Sequence, residues 1–329
     1  MLSVRLFIGI PIVLGVLALS FLDMYLSDRL VSFWIVNRIP RGIILFPLFI
    51  LVVAILCNEV LDLLEAARIK PRRSTVYLCN TGLVLICWLA CIWQQWKLDQ
   101  VPTENLISPT GWDWAATASI VTLVAIALCV VVAFVGEIIH FKSPGNHAIN
   151  LSGAVFTVVY IGLLATFLVQ LRVAFGIAAL FSLIIVAKMG DIGAFLVGRM
   201  IGRTKLSPGL SPGKTIEGLI GGLAFGCFGS WVWFKIVIPI TAGNTWLIDG
   251  DVIHKTPMIG WIAFGFFVSG AGVLGDLSES LLKREAMRKD SSRWLPGFGG
   301  VLDIFDSLLI AAPVAYACWV FRWVCPGYH

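Results

Sequence analysis

The sequence is poor in charged residues. Only 13% of its 329 residues are Asp, Glu, Lys or Arg, whereas 59% are hydrophobic. Soluble domains carry a charge on roughly a quarter of their residues, so this composition excludes an ordinary soluble fold. The mean hydropathy of +0.93 indicates a membrane protein instead. The net charge of +5 is small for such a chain, and we expect no nucleic-acid partner.

Several recognisable motifs are also missing. None of the eight cysteines forms a CxxC pair, and most lie inside apolar runs, which is typical of small buried side chains. The four histidines are scattered and form no HExxH motif, so a histidine metal site is not expected. No segment has Walker A spacing, and no P-loop is predicted.

Long apolar runs dominate the chain. A helix crosses the hydrocarbon core with about 20 residues, and we therefore predict an all-α, polytopic transmembrane helical bundle of about nine spans without a soluble domain. The fifth and sixth runs could instead form one bent hairpin. The sixth is short, and Arg172 and Lys188 at its ends are expected to snorkel to the interfaces. The runs occupy 6–22, 43–61, 76–93, 115–135, 151–169, 173–187, 218–240, 257–275 and 304–324.

The distribution of Lys and Arg predicts the orientation. With the N-terminus inside, the inner segments hold 16 basic residues and the outer segments hold 7. Cytoplasmic segments carry the excess, so we expect an integral protein of the inner (cytoplasmic) membrane with its active site on the cytoplasmic face. The first run lacks a small-x-small cleavage pattern and is read as a retained span. Residues 1–170 are expected to form N-terminal transmembrane helices, and 171–329 a catalytic region with cytoplasmic-face loops 188–217 and 276–306.

The first polar segment follows the sixth run. Asp191 stands where a carboxylate is costly unless it is paired or bound to a cation. Two Ser-Pro-Gly turns then precede a group suited to phosphate oxygens, and ordinary turn chemistry with a Lys214–Glu217 interfacial pair is the alternative. Four glycines allow close approach between helices or to a ligand. The candidate residues are Ser211, Lys214, Thr215 and Glu217, and the glycines are Gly190, Gly193, Gly198 and Gly202.

The second polar segment gathers carboxylates and basic residues. Helix dipoles alone do not explain four acidic residues at membrane depth, whereas oxygen-binding cations do. Mg²⁺ held by carboxylates, with Lys and Arg near substrate phosphates, indicates phosphoryl or nucleotidyl transfer on a lipid. The residues are Asp276, Glu279, Ser280, Lys283, Arg284, Asp303 and Asp306.

At these residues the chain resembles the phosphatidate cytidylyltransferase (CDP-diacylglycerol synthase) family. The resemblance covers roughly residues 185–310 and includes Asp191, Ala194, Phe195, Gly198 and the SPGKTIEG run. Phe298 stands where the family motif has His, and Ile304 where it has Arg. The positions that match the motif are Ser280, Lys283, Arg284, Lys289, Asp290, Ser292, Leu295, Pro296, Gly299, Gly300, Asp303 and Asp306.

The resemblance implies transfer of CMP from CTP to phosphatidate, giving CDP-diacylglycerol and pyrophosphate. It implies Mg²⁺, with a second cation left open, and membrane lipid as a partner; a homodimer is also left open. The implied catalytic residues are Asp276, Asp303, Lys283, Arg284, Lys289 and Asp290. The implied substrate-binding residues are Asp191, Ser211, Lys214, Thr215, Glu217 and Ser280. The implied metal ligands are Asp276, Asp303, Glu279 and Asp306.

Two other functions stay open on the sequence. One is a CTP-dependent enzyme that acts on another lipid phosphate or a polyprenol. The other is a non-catalytic transporter or scaffold, since intramembrane carboxylates serve such proteins too. A transporter is expected to show broken helices in two halves, whereas the polar residues here crowd into the C-terminal part.

Overall fold

The computed structural model describes residues 2–27, 41–99, 111–141, 143–239, 258–292 and 299–324. Within them, eight helices are long and apolar enough to cross a membrane, and Leu14–Leu26 is a shorter apolar helical stretch. The predicted all-α polytopic fold is confirmed. The helices are α1 (Leu2–Ser27), α2 (Leu45–Ala66), α3 (Arg73–Asp99), α4 (Gly111–Ile139), α5 (His147–Thr157), α6 (Leu164–Phe175), α7 (Ile177–Ile201), α8 (Ile216–Val232), α9 (Met258–Glu285) and α10 (Leu302–Val320).

The fifth and sixth apolar runs form two separate spans. A π-helical turn, Val158–Leu163, joins α5 to α6, so that His147–Phe175 crosses as one helix. Gly176 then adopts a φ of +88°, a conformation that glycine tolerates, and α7 begins at the next residue. The hairpin alternative is therefore wrong.

The polar segments are more helical than the predicted loops. Helix α7 continues to Ile201, and α9 continues to Glu285. Lys188 and Asp191 lie inside α7, where their side chains pair at 3.0 Å, so the helix carries both charges without ending. A two-stranded antiparallel hairpin follows, formed by β1 (Lys205–Ser207) and β2 (Ser211–Thr215).

The chain divides into two compact units, each made of separate stretches. The first unit contains Met1–Thr103, Ala116–Ile177 and Leu282–Phe305, and the second contains Glu104–Ala115, Ala178–Leu281 and Asp306–His329. The sequence analysis divided the chain at residue 170 by function, with the catalytic residues expected after it. That division stays a prediction.

Helices α2, α3, α4 and α5 contribute to the core of the first unit. Leu61, Val76, Ala133 and Ala154 form one buried cluster in it. A second cluster contains two cysteines, Cys79 and Cys129, each packed among aliphatic side chains. Burial of the described cysteines as small apolar side chains is as predicted, with Cys227 only partly buried; Cys325 lies outside the described residues.

Glycines bring the helices of the second unit together. A Cβ on Gly193 of α7 would lie 2.8 Å from the carbonyl oxygen of Gly221 in α8. A Cβ on Gly190 would lie 2.9 Å from the Cβ of Ser269 in α9. These positions exclude any larger residue, and the close-approach role predicted for the glycines is confirmed for packing between helices.

A buried ion pair joins α1 to α6 in the first unit. Arg172 donates to Asp23 through Nε at 2.7 Å, and a second guanidinium nitrogen lies 2.5 Å from the same carboxylate. The other oxygen of Asp23 accepts from the amide of Ile44 at 3.0 Å. Arg172 is only 2% exposed, so the prediction that it snorkels to an interface is wrong. The positive charge of Arg172 is stabilised by the Asp23 carboxylate, whereas the prediction assumed that water would stabilise it.

Replacing Arg172 with Met is expected to destabilise the protein strongly, because Asp23 would stay buried without its cation. The expected cost is about 3–5 kcal/mol. The midpoint of thermal unfolding in detergent measures it. The double variant Asp23→Asn/Arg172→Met removes both charges and should recover at least half of the lost stability. Equal midpoints for the single variant and the unaltered protein would contradict the role of the pair.

Candidate active site

Three of the four predicted metal-ligating carboxylates meet in the second unit. One oxygen from each of Asp276, Glu279 and Asp306 lies within 4.8 Å of the others. Asp276 and Glu279 are three residues apart on α9, and Asp306 lies near the start of α10. Glu279 is 1% exposed and Asp306 is 7% exposed. Negative charges this close and this buried repel one another, so the cluster favours a cation.

A glycine allows the two helices of this cluster to touch. A Cβ on Gly275 would collide with the carbonyl oxygen of Asp306 and would lie 3.0 Å from the Cα of Ser307. Only glycine therefore fits here, one residue before Asp276. The backbone contact fixes where the Asp306 side chain leaves α10.

Lys214 supplies one positive charge to the cluster. Its ammonium lies 2.8 Å from the carboxylate of Asp276, and its side chain is 21% exposed. It reaches this position from β2, directly before α8. The alternative pairing of Lys214 with Glu217 is not the one observed, since Glu217 accepts hydrogen bonds from the backbone amides of Arg203 and Thr204, both at 3.1 Å.

The other predicted residues of the hairpin either accept hydrogen bonds from nearby backbone amides or lie at the hairpin surface. Thr215 caps α8 by accepting from the amide of Gly218 at 3.1 Å. Ser211 is partly exposed at the start of β2. The substrate role predicted for Ser211, Thr215 and Glu217 stays a prediction, and the structure assigns Thr215 and Glu217 contacts that fix the hairpin.

A second polar group of the same unit surrounds Asp191. Lys188 donates to Asp191 at 3.0 Å and to Ser307 at 2.9 Å, and Ser307 lies 3.3 Å from the same Asp191 oxygen. The snorkelling predicted for Lys188 stays a prediction, since its side chain is 36% exposed while it contacts these two polar groups. Asp191, Lys188 and Ser307 thus form a compact triad. Within it, the ammonium of Lys188 neutralises the Asp191 carboxylate.

The fourth predicted metal ligand, Asp303, belongs to the first unit and has its own partners. Lys283 contacts one oxygen at 2.7 Å. The other accepts from the amide of Gly300 at 2.7 Å and from the hydroxyl of Ser291 at 2.9 Å. Both charged side chains are largely buried, at 13% and 15% exposure. Two residues that match the family motif, Lys283 and Asp303, therefore contact each other, a pairing that the sequence did not predict.

The remaining motif residues differ in burial. Ser280 is 8% exposed on α9. Arg284, Lys289 and Asp290 are exposed and accessible to a ligand. Ile304 is partly buried in the first turn of α10, and Phe298 lies outside the described residues.

One buried carboxylate escaped the sequence analysis. Glu59 is 1% exposed and lies in α2, within an apolar run that was read only as a span. Its carboxylate contacts the segment that precedes α10. A single acidic residue inside the run 43–61 was the available signal, because a carboxylate at membrane depth needs a partner.

A profile described as the cytidylyltransferase family matches residues 27–321, which is most of the chain. The chain belongs to the cytidylyltransferase family. The family resemblance stated from the motif residues is thereby confirmed.

Curated relatives carry a more specific name. A Bacillus subtilis (strain 168) protein named phosphatidate cytidylyltransferase is 36% identical over 160 residues, which are 48% of this chain and 54% of the relative. A Haemophilus influenzae protein of that name is 38% identical over 138 residues, 42% and 44% of the two chains. One from Synechocystis is 38% identical over 130 residues, 38% of each. The chain thus spans about half the length, or less, of the curated relatives it matches.

Replacing Gly275 with Ala is expected to push α9 away from α10 at Asp306. The forced shift should cost about 1–3 kcal/mol, measured as a lower midpoint of thermal unfolding in detergent. Gly270→Ala on the same helix is the matched control, because its Cβ would meet only the Leu223 side chain at an ordinary 3.6 Å. Equal midpoints for the two variants would show that the helices are not in close contact at Gly275.

Proposed function

We propose that the protein is a phosphatidate cytidylyltransferase that acts as an integral membrane enzyme, with its active site on the cytoplasmic face of the inner membrane. It transfers CMP from CTP to phosphatidate and releases pyrophosphate. The observation that carries the proposal is the carboxylate cluster of the partly exposed Asp276 with the buried Glu279 and Asp306, and Lys214 beside it. Membership of the cytidylyltransferase family and the names of the relatives support the same reaction.

The donor set of the cluster fits Mg²⁺. Its ligand atoms are carboxylate oxygens, which are the ligands that this hard cation takes, and they lie within 4.8 Å of one another. Lys214 contributes one positive charge, at Asp276. Asp276, Glu279 and Asp306 would therefore hold the ion. When bound, Mg²⁺ would neutralise charge on the phosphate oxygens of CTP.

The reaction joins the lipid phosphate to the α-phosphorus of CTP. A phosphatidate oxygen forms the new P–O bond, while the bond from the α-phosphorus to the oxygen that bridges to the β-phosphorus breaks. That oxygen leaves with pyrophosphate. The attacking phosphate is already anionic, so no side chain has to act as nucleophile or remove a proton. Positioning and charge neutralisation carry the catalysis.

The basic side chains would do this positioning. Lys214 is held 2.8 Å from Asp276, where its ammonium can contact a phosphate oxygen beside the carboxylates. The motif also assigns Lys283 and Asp303 to the reaction, and the exposed Arg284 and Lys289 to substrate phosphates. Asp191 would support Lys188 and Ser307 through the triad described above.

The purified protein in detergent, given CTP labelled in the cytosine ring, phosphatidate and Mg²⁺, is expected to form a labelled lipid and release pyrophosphate. Asp276→Asn should lower the rate by about a hundredfold or more, because it removes a charged ligand from the cluster. Glu285→Gln is the control, since this exposed residue of α9 lies outside the cluster.

The identity of the product decides between lipid-directed reactions. A lipid that retains the cytidine supports the proposal, whereas a lipid that gains a simple phosphate from CTP indicates a kinase. No labelled lipid from the unaltered protein would refute the proposed activity.

Binding of the cation can be measured without substrates. Mn²⁺, used as a paramagnetic substitute for Mg²⁺, is expected to bind the unaltered protein, and Glu279→Gln or Asp306→Asn should weaken binding about tenfold or more. Electron paramagnetic resonance of free Mn²⁺ gives the affinity, and Glu285→Gln serves again as control. Unchanged affinity in both cluster variants would place the cation elsewhere.

A further inference from the structure

Glu59 is a buried carboxylate surrounded by four hydrogen-bond donors. Its Oε1 accepts from the hydroxyl of Ser292 at 2.7 Å and the amide of Val301 at 2.9 Å. Its Oε2 accepts from the amide of Leu302 at 2.7 Å and lies 3.1 Å from the hydroxyl of Ser291, whose one proton is shared between Glu59 and Asp303. At 1% exposure these groups take the place that water has around a surface carboxylate.

All four donors lie between the end of α9 and the first residue of α10. Two are the hydroxyls of Ser291 and Ser292, and two are the backbone amides of Val301 and Leu302. Gly300 lies against the carboxylate so closely that a Cβ there would collide with both Glu59 and Ser291. The described residues on either side of 293–298 thus contact one side chain of α2, more than two hundred residues earlier.

The same connection holds Asp303. Ser291, which is fully buried, has its hydroxyl within hydrogen-bond distance of both Glu59 and Asp303, at 3.1 Å and 2.9 Å. The amide of Gly300, next to Val301, donates to Asp303 at 2.7 Å. Lys283 then contacts the other oxygen of Asp303. A continuous set of hydrogen bonds therefore runs from Glu59 to the Asp303–Lys283 pair.

We propose that Glu59 is a positioning residue of the transfer reaction, which holds Ser291 and the amides of Val301 and Leu302 so that Asp303 and Lys283 keep their orientation. The inference rests on the proposed function, since that is what assigns Asp303 and Lys283 to the reaction. Glu59 touches no substrate in this role and acts through Ser291 and the amides before Asp303. Groups that orient reacting residues typically affect activity about 10- to 100-fold when they are removed.

Glu59→Gln tests the role sharply, because it keeps the size of the side chain and removes one acceptor. Whichever way the amide is turned, its NH₂ group faces a backbone N–H, either of Val301 or of Leu302. A serine hydroxyl can rotate to accept, whereas a backbone N–H cannot. The substitution therefore loosens the connection without opening a cavity.

The expected result has two parts. In Glu59→Gln, kcat for labelled liponucleotide falls about 10- to 100-fold while the KM for CTP changes less than about threefold. In the substrate-free protein, amide hydrogen exchange at Val301 and Leu302 becomes about tenfold faster or more. Glu59→Asp, which keeps the charge with a shorter reach, should lie between the two proteins in both measurements.

Asp62→Asn is the matched control. Asp62 lies one turn further along α2 and contacts Arg73 at the exposed end of that helix. Its substitution makes the same chemical change on the same helix, and both kcat and the exchange at Val301 should stay at the values of the unaltered protein.

The outcomes separate the two proposals. If the unaltered protein makes no liponucleotide, the proposed function fails, and the positioning proposal, which depends on it, falls with it. If the protein is active and Glu59→Gln keeps the original kcat and exchange, only the positioning role is refuted. Faster exchange with an unchanged kcat also refutes it, and shows a purely structural anchor. Should Glu59→Gln fail to fold, an intermediate kcat in Glu59→Asp supports the role, and a full kcat there overturns it.

Discussion

A carboxylate at membrane depth needs a cation or a dense set of donors, because lipid offers it neither water nor counterions. The helices of this protein are arranged around that requirement. Asp23 is paired with Arg172, Asp191 with Lys188, and Asp303 with Lys283. Among the described residues no cationic side chain contacts Glu59, and four hydrogen-bond donors surround it instead. The carboxylate cluster is the exception, since three acids lie together there, with Lys214 against Asp276.

This exception connects the fold to chemistry. In each paired site the charges balance within the protein, and such a site has little electrostatic reason to bind a further cation. At Asp276, Glu279 and Asp306 three carboxylate oxygens lie within 4.8 Å of one another, and their mutual repulsion favours a divalent ion and, with it, a polyphosphate substrate. Glycine packing makes this grouping possible, because Gly275 brings the backbone of α10 against α9 beside Asp276. A larger residue at that position would separate the acids and reduce their field.

The sequence predicted the spans and most of the site because both leave strong local signals. Apolar runs of about twenty residues mark helices, and charged residues beside them are rare enough to stand out. What it could not predict was pairing over long distances in the chain. Arg172 was expected to reach water, and its actual partner, Asp23, is 149 residues away; Lys188 likewise contacts Ser307, 119 residues away. Glu59 was overlooked for the same reason, since its donors lie in the connection before α10. The end of α7 was misplaced because pairing of Lys188 with Asp191 makes charge compatible with a continuing helix.

The contacts of Glu59 also bear on how the protein is assembled. Its donors are 232 to 243 residues further along the chain, so α2 is synthesised and inserted long before they exist. Until that point in biosynthesis these four donors are absent, and a carboxylate in an apolar helix is costly without partners. A chain that stops before Ser291 therefore lacks every contact of Glu59 described above, and with them the link from the second helix to the start of α10.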